Sequence, residues 1–116
     1  MKDLQDKGID AIYLLSIWAP SQYSIDYDIN HIEDIRKDLP DVTKDDILGS
    51  GFAVGSYTVN PAIGSQQDMI NFRARLAALN IQLYLDFVSN HAAVDAPIVS
   101  EHPEYFVKEQ LKDSSL

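Results

Sequence analysis

Three side chains that could do chemistry, Asp86, Asn90 and His91, lie at the end of one apolar stretch. Asp86 interrupts the apolar run of residues 83–88, and Asn90 and His91 follow its last apolar residue. A carboxylate within a run that otherwise indicates a buried strand costs free energy unless it is paired, hydrogen-bonded or used. Ligands of α/β proteins bind at the carboxyl ends of parallel strands. These residues are therefore a candidate ligand site; a structural role, in which Asp86 accepts hydrogen bonds from loop amides, is also open.

The acidic residues nearer the N-terminus do not form a calcium-binding loop of the EF-hand type. Asp26, Asp28 and Asn30 match the first, third and fifth positions of such a loop. The sixth position should be glycine and is His31, and the twelfth should be glutamate and is Lys37. We interpret this stretch as a solvated acidic loop.

The remaining motifs indicate neither a zinc site nor a nucleotide site. The histidines have no spacing suited to zinc, and we expect His31 and His102 to be surface or capping residues. Residues 49–51 (Gly-Ser-Gly) lack the further glycine of a dinucleotide fingerprint and the Gly-Lys-Ser/Thr of a P-loop. We interpret them as a flexible loop.

Length and charge bound the function classes. The 116 residues suit one small globular domain, and a net charge of −9 makes nucleic acid an unexpected partner. The absence of cysteine excludes disulfides and thiolate metal sites. No apolar run approaches the ~20 residues of a membrane span, and the N-terminus lacks the apolar core of a signal peptide. We therefore expect no membrane partner, and the compartment is undecided with the cytoplasm favoured.

The N-terminal part of the chain predicts the end of a helix followed by a strand. Residues 1–7 are typical of the last turns of a helix, and Gly8 suits a left-handed C-terminal cap. The nearly continuous apolar content of residues 9–18 predicts a strand buried on both faces of a parallel sheet. Residues 19–21 (Ala-Pro-Ser) are expected to end it.

An acidic loop insertion is predicted over residues 21–50, a place where binding and specificity features are common. Within it, Asn30 is a candidate N-cap for a short helix over residues 31–38 that ends before Pro40. The pattern of residues 43–46 predicts a short helical turn.

Loops and a second strand are predicted in the rest of the chain. Residues 49–57 indicate a glycine-rich loop with two aromatic residues, and residues 60–64 a turn. The apolar run of residues 81–88 predicts the second strand. Residues 92–99 indicate a loop, and the polar tail, residues 108–116, is expected to fray.

The clearest helix is predicted over residues 66–79. Ser65 is its expected N-cap, with Asp68 three residues further on, and Asn80 suits its C-terminal cap. The order strand, long loop, helix, strand predicts a βαβ unit with a parallel strand pair.

The motif at residues 86–91 (Asp-Phe-Val-Ser-Asn-His) resembles the first signature region of the α-amylase superfamily, glycoside hydrolase family 13. That region ends the third strand of a (β/α)8 barrel. Residues 51–68 resemble the family's Gly-Tyr-x-x-x-x-Tyr…Pro-x-x-Gly-Ser/Thr-x-x-Asp segment, and residues 8–14 resemble its second strand. The resemblance implies an α/β fold in which residues 1–116 are a fragment of a TIM barrel, with its second and third strands and the intervening helix and loop.

The same resemblance implies roles for four residues. Asp86 and His91 would bind hydroxyls of the sugar ring at the cleaved bond, and Phe52 would stack on that ring. Phe52 stands where the family usually has tyrosine, so stacking is expected without the phenol hydrogen bond. Asn90 would fix its loop or bind a structural calcium ion.

The activity implied for the parent protein is retaining hydrolysis or transglycosylation of α-glucosidic bonds. The substrate would be an α-glucan, an oligosaccharide or another α-glucoside. A retaining mechanism uses a carboxylate nucleophile and a carboxyl general acid. In the family these lie on the fourth and fifth strands, with a supporting Asp after the seventh. We therefore expect this chain to lack the rest of the barrel and to contain no catalytic residue. We also expect no turnover by the chain alone.

Three alternatives stay open. The chain could come from a noncatalytic α-amylase-like module used for binding or assembly. It could be a self-contained α/β domain of another class, or a gene fragment without a function of its own.

Overall fold

The computed structural model describes residues 1–108 as two small sheets and several helices. The predicted fraying tail falls almost wholly outside the described residues. The α-helices are α1 Lys2–Asp6, α2 Gln22–Asn30, α3 Ile32–Ile35, α4 Gln66–Ala78 and α5 Pro97–Glu101. The strands are β1 Ala11–Leu14, β2 Trp18–Pro20, β3 Val54–Val59 and β4 Gln82–Leu85, and short 3-10 helices cover Lys44–Asp46 and Pro103–Tyr105.

A parallel pair, β1 with β4, confirms the predicted βαβ order. Ala11 lies opposite Gln82, and Leu14 lies opposite Leu85. Helix α4 comes between the two strands in sequence and contacts β4. The carboxyl ends of both strands therefore lie side by side, and Asp86 directly follows the last residue of β4. The fold is mixed α/β, and its completion into a barrel stays a prediction.

The single strand predicted over residues 9–18 is wrong. The run divides at Ser16, which adopts a left-handed conformation with φ 59°. Beyond it, β2 pairs with β3 in an antiparallel sheet, with Trp18 opposite Val59 and Pro20 opposite Val54. The prediction failed because an apolar run reports burial and not where the backbone turns.

The loop predicted over residues 49–57 is correspondingly wrong in its second half, because β3 begins at Val54. Gly55 permits this pairing: a Cβ atom there would lie 2.7 Å from the carbonyl oxygen of Pro20. The turn predicted over residues 60–64 is confirmed.

Helix α4 confirms the clearest sequence prediction. Ser65 accepts from the amide of Asp68 at 3.1 Å, and Asp68 Oδ2 accepts from the amide of Ser65 at 2.7 Å. These two bonds form a capping box. At the other end Asn80 is left-handed, with φ 57°, as a C-terminal cap requires.

Residues 21–50 contain more helix than expected. Helix α2 was not predicted, and its N-cap is Ser21. The predicted helix over residues 31–38 is wrong in its bounds and its cap. Asn30 ends α2, while His31 precedes the short α3, which confirms a capping position for His31. The helical turn at 43–46 is confirmed by a capping box between Thr43 and Asp46.

The loop predicted over residues 92–99 is wrong from Pro97 onward. Pro97 begins α5, where the missing amide hydrogen of proline costs nothing. His102 follows α5, and its Nδ1 lies 2.9 Å from Glu104 Oε1, which confirms a surface capping position. Within residues 1–108, no helix is long and apolar enough to cross a membrane.

The core is small, and the prediction that the parallel strands are buried on both faces is wrong. The buried apolar side chains include Leu76 of α4 and Ile81 before β4, whereas Tyr13 of β1 and Tyr84 of β4 are exposed. Burial was predicted wrongly because the apolar content of a strand shows that its residues favour burial, and does not show whether other parts of the described chain cover them.

Candidate functional site

Asp86 lies at the carboxyl end of the parallel pair and is buried, with only 7% of its surface exposed. Its Oδ2 accepts from the backbone amide of Ser16 at 3.3 Å, which is one contact of the kind that the structural interpretation predicts. Its Oδ1 is also buried and has no hydrogen-bond partner among the described residues. A buried acceptor without a partner is rare and costs free energy. Asp86 thus has one structural oxygen and one unused oxygen.

Trp18 and Tyr57 hold the chain around Asp86. The indole Nε1 of Trp18 donates to the carbonyl oxygen of Asp86 at 2.8 Å. The ring of Tyr57 meets that of Trp18 edge-on, with centroids 5.2 Å apart, and meets Phe87 with centroids 5.1 Å apart. The antiparallel pair β2–β3 is therefore fastened to the segment that leads from β4 to His91.

Phe52 and His91 come together although 39 residues separate them in the sequence. His91 Nε2 lies 3.1 Å from the carbonyl oxygen of Phe52. Because a carbonyl oxygen can only accept, Nε2 is the donor of this bond, and Nδ1 makes no hydrogen bond within the described residues. The Phe52 ring is 62% exposed. Both residues line a cavity of about 390 Å³, a size usual for small-molecule sites.

Helix α2 forms another wall of this cavity, through Tyr23 and Tyr27. Its N-terminus is held by Ser21, which is buried and accepts from the amide of Ser24 at 3.0 Å. The Ser21 hydroxyl donates to Asp95 Oδ1 at 2.6 Å, and the amide of Tyr23 donates to Asp95 Oδ2 at 2.9 Å. Asp95 therefore joins α2 to the loop that follows His91.

The charge on Asp95 is favoured by these contacts. Hydrogen bonds from the Ser21 hydroxyl, and next from the Tyr23 amide, hold the pKa of Asp95 below its usual range. The carboxylate is therefore ionised at neutral pH and available as a double acceptor at the start of α2.

The structure brings together only some of the residues predicted to form the site. Phe52 and His91 share the cavity, whereas Asp86 and Asn90 are not among its lining residues. Asp86 lies five residues before His91 in the same segment and is buried beside Ser16. The sugar-binding roles of these residues stay predictions.

The calcium prediction rests on Asn90, which is exposed. In the part of the chain that is described, no group of three or more His, Asp or Glu residues could hold a metal ion. Calcium takes six to eight oxygen ligands, so the residues present do not by themselves fit such a site. Calcium binding through Asn90 stays a prediction, and no step of the proposed function uses it.

Sequence reasoning missed Ser21 and Asp95, and it identified Tyr57 only as part of the segment at residues 51–68. Ser21 precedes a helix and is a preferred N-cap residue, which was a usable signal. Asp95 gave no local signal, and no local pattern indicated the contact of Tyr57, because their partners are distant in the sequence: Ser21 lies 74 residues from Asp95, and Val88 lies 31 residues from Tyr57.

Comparison with known proteins shows that this chain is similar in structure to parts of α-amylases. No protein-family model matches the chain, and no curated protein matches it. A maltogenic α-amylase from Thermotoga neapolitana superposes with a TM-score of 0.70 and 27% identity, over 95% of this chain and 22% of that protein. An α-amylase from Lactobacillus plantarum gives 0.56 and 22%, over 91% of this chain and 28% of that protein, which supports the fold alone. The chain thus spans about a quarter of the length of these enzymes, and its resemblance to them is confirmed at the level of structure.

Proposed function

We propose that this chain supplies the substrate-holding part of a retaining sugar site that acts on α-glucosidic bonds. Phe52 stacks on a sugar ring, and His91 hydrogen-bonds a sugar hydroxyl through Nδ1. Asp86 positions the same ring through its unused Oδ1. The nucleophile and the general acid of a retaining reaction are not assigned to any residue of this chain.

The observation that carries the proposal is the shared cavity of Phe52 and His91. An exposed aromatic face beside one fixed polar group is the usual composition of a small-molecule site. The apolar face of a pyranose ring covers an aromatic ring, while its hydroxyls need partners at the edge. A neutral ligand also suits a chain of net charge −9 better than an anionic one does.

The state of Asp86 agrees with this role. A sugar hydroxyl would give Oδ1 the donor that it lacks among the described residues. Because Oδ1 is buried, the carboxylate must turn toward the ligand on binding. The bond from the Ser16 amide is long, at 3.3 Å, and opposes such a turn weakly.

The substrate class follows from the neighbours. One similar structure is a maltogenic α-amylase and another is an α-amylase. We therefore assign α-glucans and malto-oligosaccharides to this site.

The test is the affinity of the 116-residue chain for maltohexaose, measured by ligand-observed NMR or calorimetry. Phe52→Ala and His91→Ala should each weaken binding by about 5- to 10-fold, the effect of one lost stacking or hydrogen-bonding contact. The matched control is His102→Ala, which removes an exposed histidine with one hydrogen bond outside the cavity. Binding should also prefer maltohexaose to the β-linked cellohexaose.

Two results would overturn the proposal: no binding of maltohexaose by the chain, or binding that neither Phe52→Ala nor His91→Ala weakens. Hydrolysis is expected to be absent. Release of reducing sugar by the purified chain, and not by heat-killed chain, would contradict the assignment of the bond-breaking groups to other residues.

A further inference from the structure

Two tyrosines of α2 share the cavity of Phe52 and His91 but have no part in the proposed function so far. Tyr23 and Tyr27 lie four residues apart, so their side chains lie on the same face of the helix. Both line the cavity, and their exposed fractions are 58% and 53%. Exposed aromatic rings on a cavity wall are available to a ligand.

The Tyr27 ring and the backbone of Tyr23 are held by contacts within the chain. Tyr27 stacks on His31, with ring centroids 4.2 Å apart and an interplanar angle of 26°. One face of the Tyr27 ring is therefore covered, which restricts its rotation, while 53% of the residue is still exposed. The amide of Tyr23 is fixed by Asp95 at 2.9 Å.

Helix α2 is fastened to both segments that carry the proposed site. The amide of Ser21 donates to the carbonyl oxygen of Ala53 at 2.9 Å, one residue after Phe52. The amide of Ser50 donates to Ser24 Oγ at 2.9 Å. Asp95 ties the start of the helix to the loop after His91. The distance from the tyrosines to Phe52 and His91 is thus set by the fold.

We infer that Tyr23 and Tyr27 form an additional sugar-binding subsite, which stacks on a further ring of the α-glucan whose first ring lies on Phe52. This inference rests on the proposed function. The occupant is a neutral α-linked glucan. The cavity wall consists of aromatic and small polar residues, and the protein carries a net charge of −9. Because the Tyr27 ring is already restricted by its stacking on His31, it binds at a low cost in conformational entropy.

The test compares tyrosines within one unmodified chain. Tetranitromethane nitrates exposed phenols, and mass spectrometry gives the extent at each position. Tyr13, Tyr84 and Tyr105 lie outside the cavity lining, and their exposed fractions of 59%, 54% and 66% match those of Tyr23 and Tyr27. Saturating maltohexaose should lower nitration of Tyr23 and Tyr27 and leave the other three unchanged. Cellohexaose should protect none of them.

A second measurement uses variants and substrate length. Tyr23→Ala and Tyr27→Ala should each weaken maltohexaose binding by about 2- to 10-fold, and leave maltose binding nearly unchanged. Tyr105→Ala is the control, because it removes an equally exposed tyrosine from a different region. Exchange of the Ser24 amide, which donates to the N-cap hydroxyl of Ser21, reports whether each variant keeps the helix.

The outcomes separate the two proposals. Binding that depends on Phe52 and His91, with Tyr23 and Tyr27 nitrated as in the free chain, would overturn the subsite and keep the proposed function. Absence of maltohexaose binding would overturn both. Protection of all exposed tyrosines together would also overturn the subsite, since it would mean general ordering and not local contact.

Discussion

The phenol hydroxyl of Tyr57 makes two hydrogen bonds to the backbone of Val88: it donates to the carbonyl oxygen at 3.0 Å and accepts from the amide at 2.9 Å. This double contact joins strand β3 to the segment between Asp86 and His91. Val88 lies beyond the last paired residue of β4, so its backbone groups have no strand partner there. The Tyr57 side chain thus makes the hydrogen bonds to the Val88 backbone that a neighbouring strand would otherwise make.

Tyr57→Phe should remove both bonds and keep the ring. We expect a local loss of about 1 kcal/mol, or roughly fivefold faster exchange of the Val88 amide. Hydrogen exchange resolved at Val88 measures this directly. Tyr105→Phe is the control. If the Val88 amide were equally protected from exchange in Tyr57→Phe, the two hydrogen bonds would not stabilise this segment.

The two N-cap serines allow a matched comparison. Ser21→Ala removes the cap of α2 and its bond to Asp95, whereas Ser65→Ala removes the cap of α4. Each should cost its own helix about 1 kcal/mol in local stability.

Only Ser21→Ala should also weaken maltohexaose binding, because α2 carries the tyrosines of the cavity wall and α4 lines no part of that cavity. Helix exchange and ligand affinity, measured on both variants, check this. Equal effects of the two substitutions on affinity would disprove a special role of α2.

The close approach of Gly51 to Ser16 predicts a pair of compensating substitutions. A Cβ atom at Gly51 would lie 2.6 Å from Ser16 Cβ, so Gly51→Ala should destabilise the loop that carries Phe52 by about 1–3 kcal/mol. Ser16→Gly removes the atoms in the way and suits the left-handed backbone at that position.

The double variant should therefore recover most of the loss. Exchange of the Ala53 amide, which donates to Ser50 at 3.0 Å, measures it. Strictly additive effects of the two changes would show that these residues do not meet.

The pH dependence follows from Asp95 and Asp68. The Ser21 hydroxyl first, then the Tyr23 amide, lower the pKa of Asp95; the Ser65 hydroxyl first, then its amide, lower the pKa of Asp68. In the unfolded chain both should titrate near the usual aspartate value of about 3.9. A folded pKa below the unfolded one contributes stability above the unfolded value, and this stability is lost as pH falls through the folded pKa.

Protection of the α2 and α4 amides should thus be constant above about pH 5 and should fall below about pH 4. NMR titration of the Asp95 carboxyl carbon should give a midpoint below the usual value, and Ser21→Ala should raise it. An Asp95 midpoint that Ser21→Ala leaves in place would contradict the assigned cause.

The amino-acid sequence by itself determined the parts that depend on short spacings. The capping box of Ser65 and Asp68, the left-handed Asn80 and the order of the parallel strand pair were all predictable. The two caps depend on contacts within a few residues, and each element in the strand–helix–strand order shows its own apolar period, so these signals are visible in a short window. The motif at residues 86–91 was visible for the same reason.

Only the tertiary structure decided which of these residues meet. It divided the run of residues 9–18 between two sheets and fixed the start of α2 through Asp95. It also placed Phe52 next to His91 and buried Asp86. These outcomes depend on pairs of residues far apart in the sequence. Such pairs form when the packed chain satisfies buried donors and acceptors together, and no local pattern records which distant group will do so.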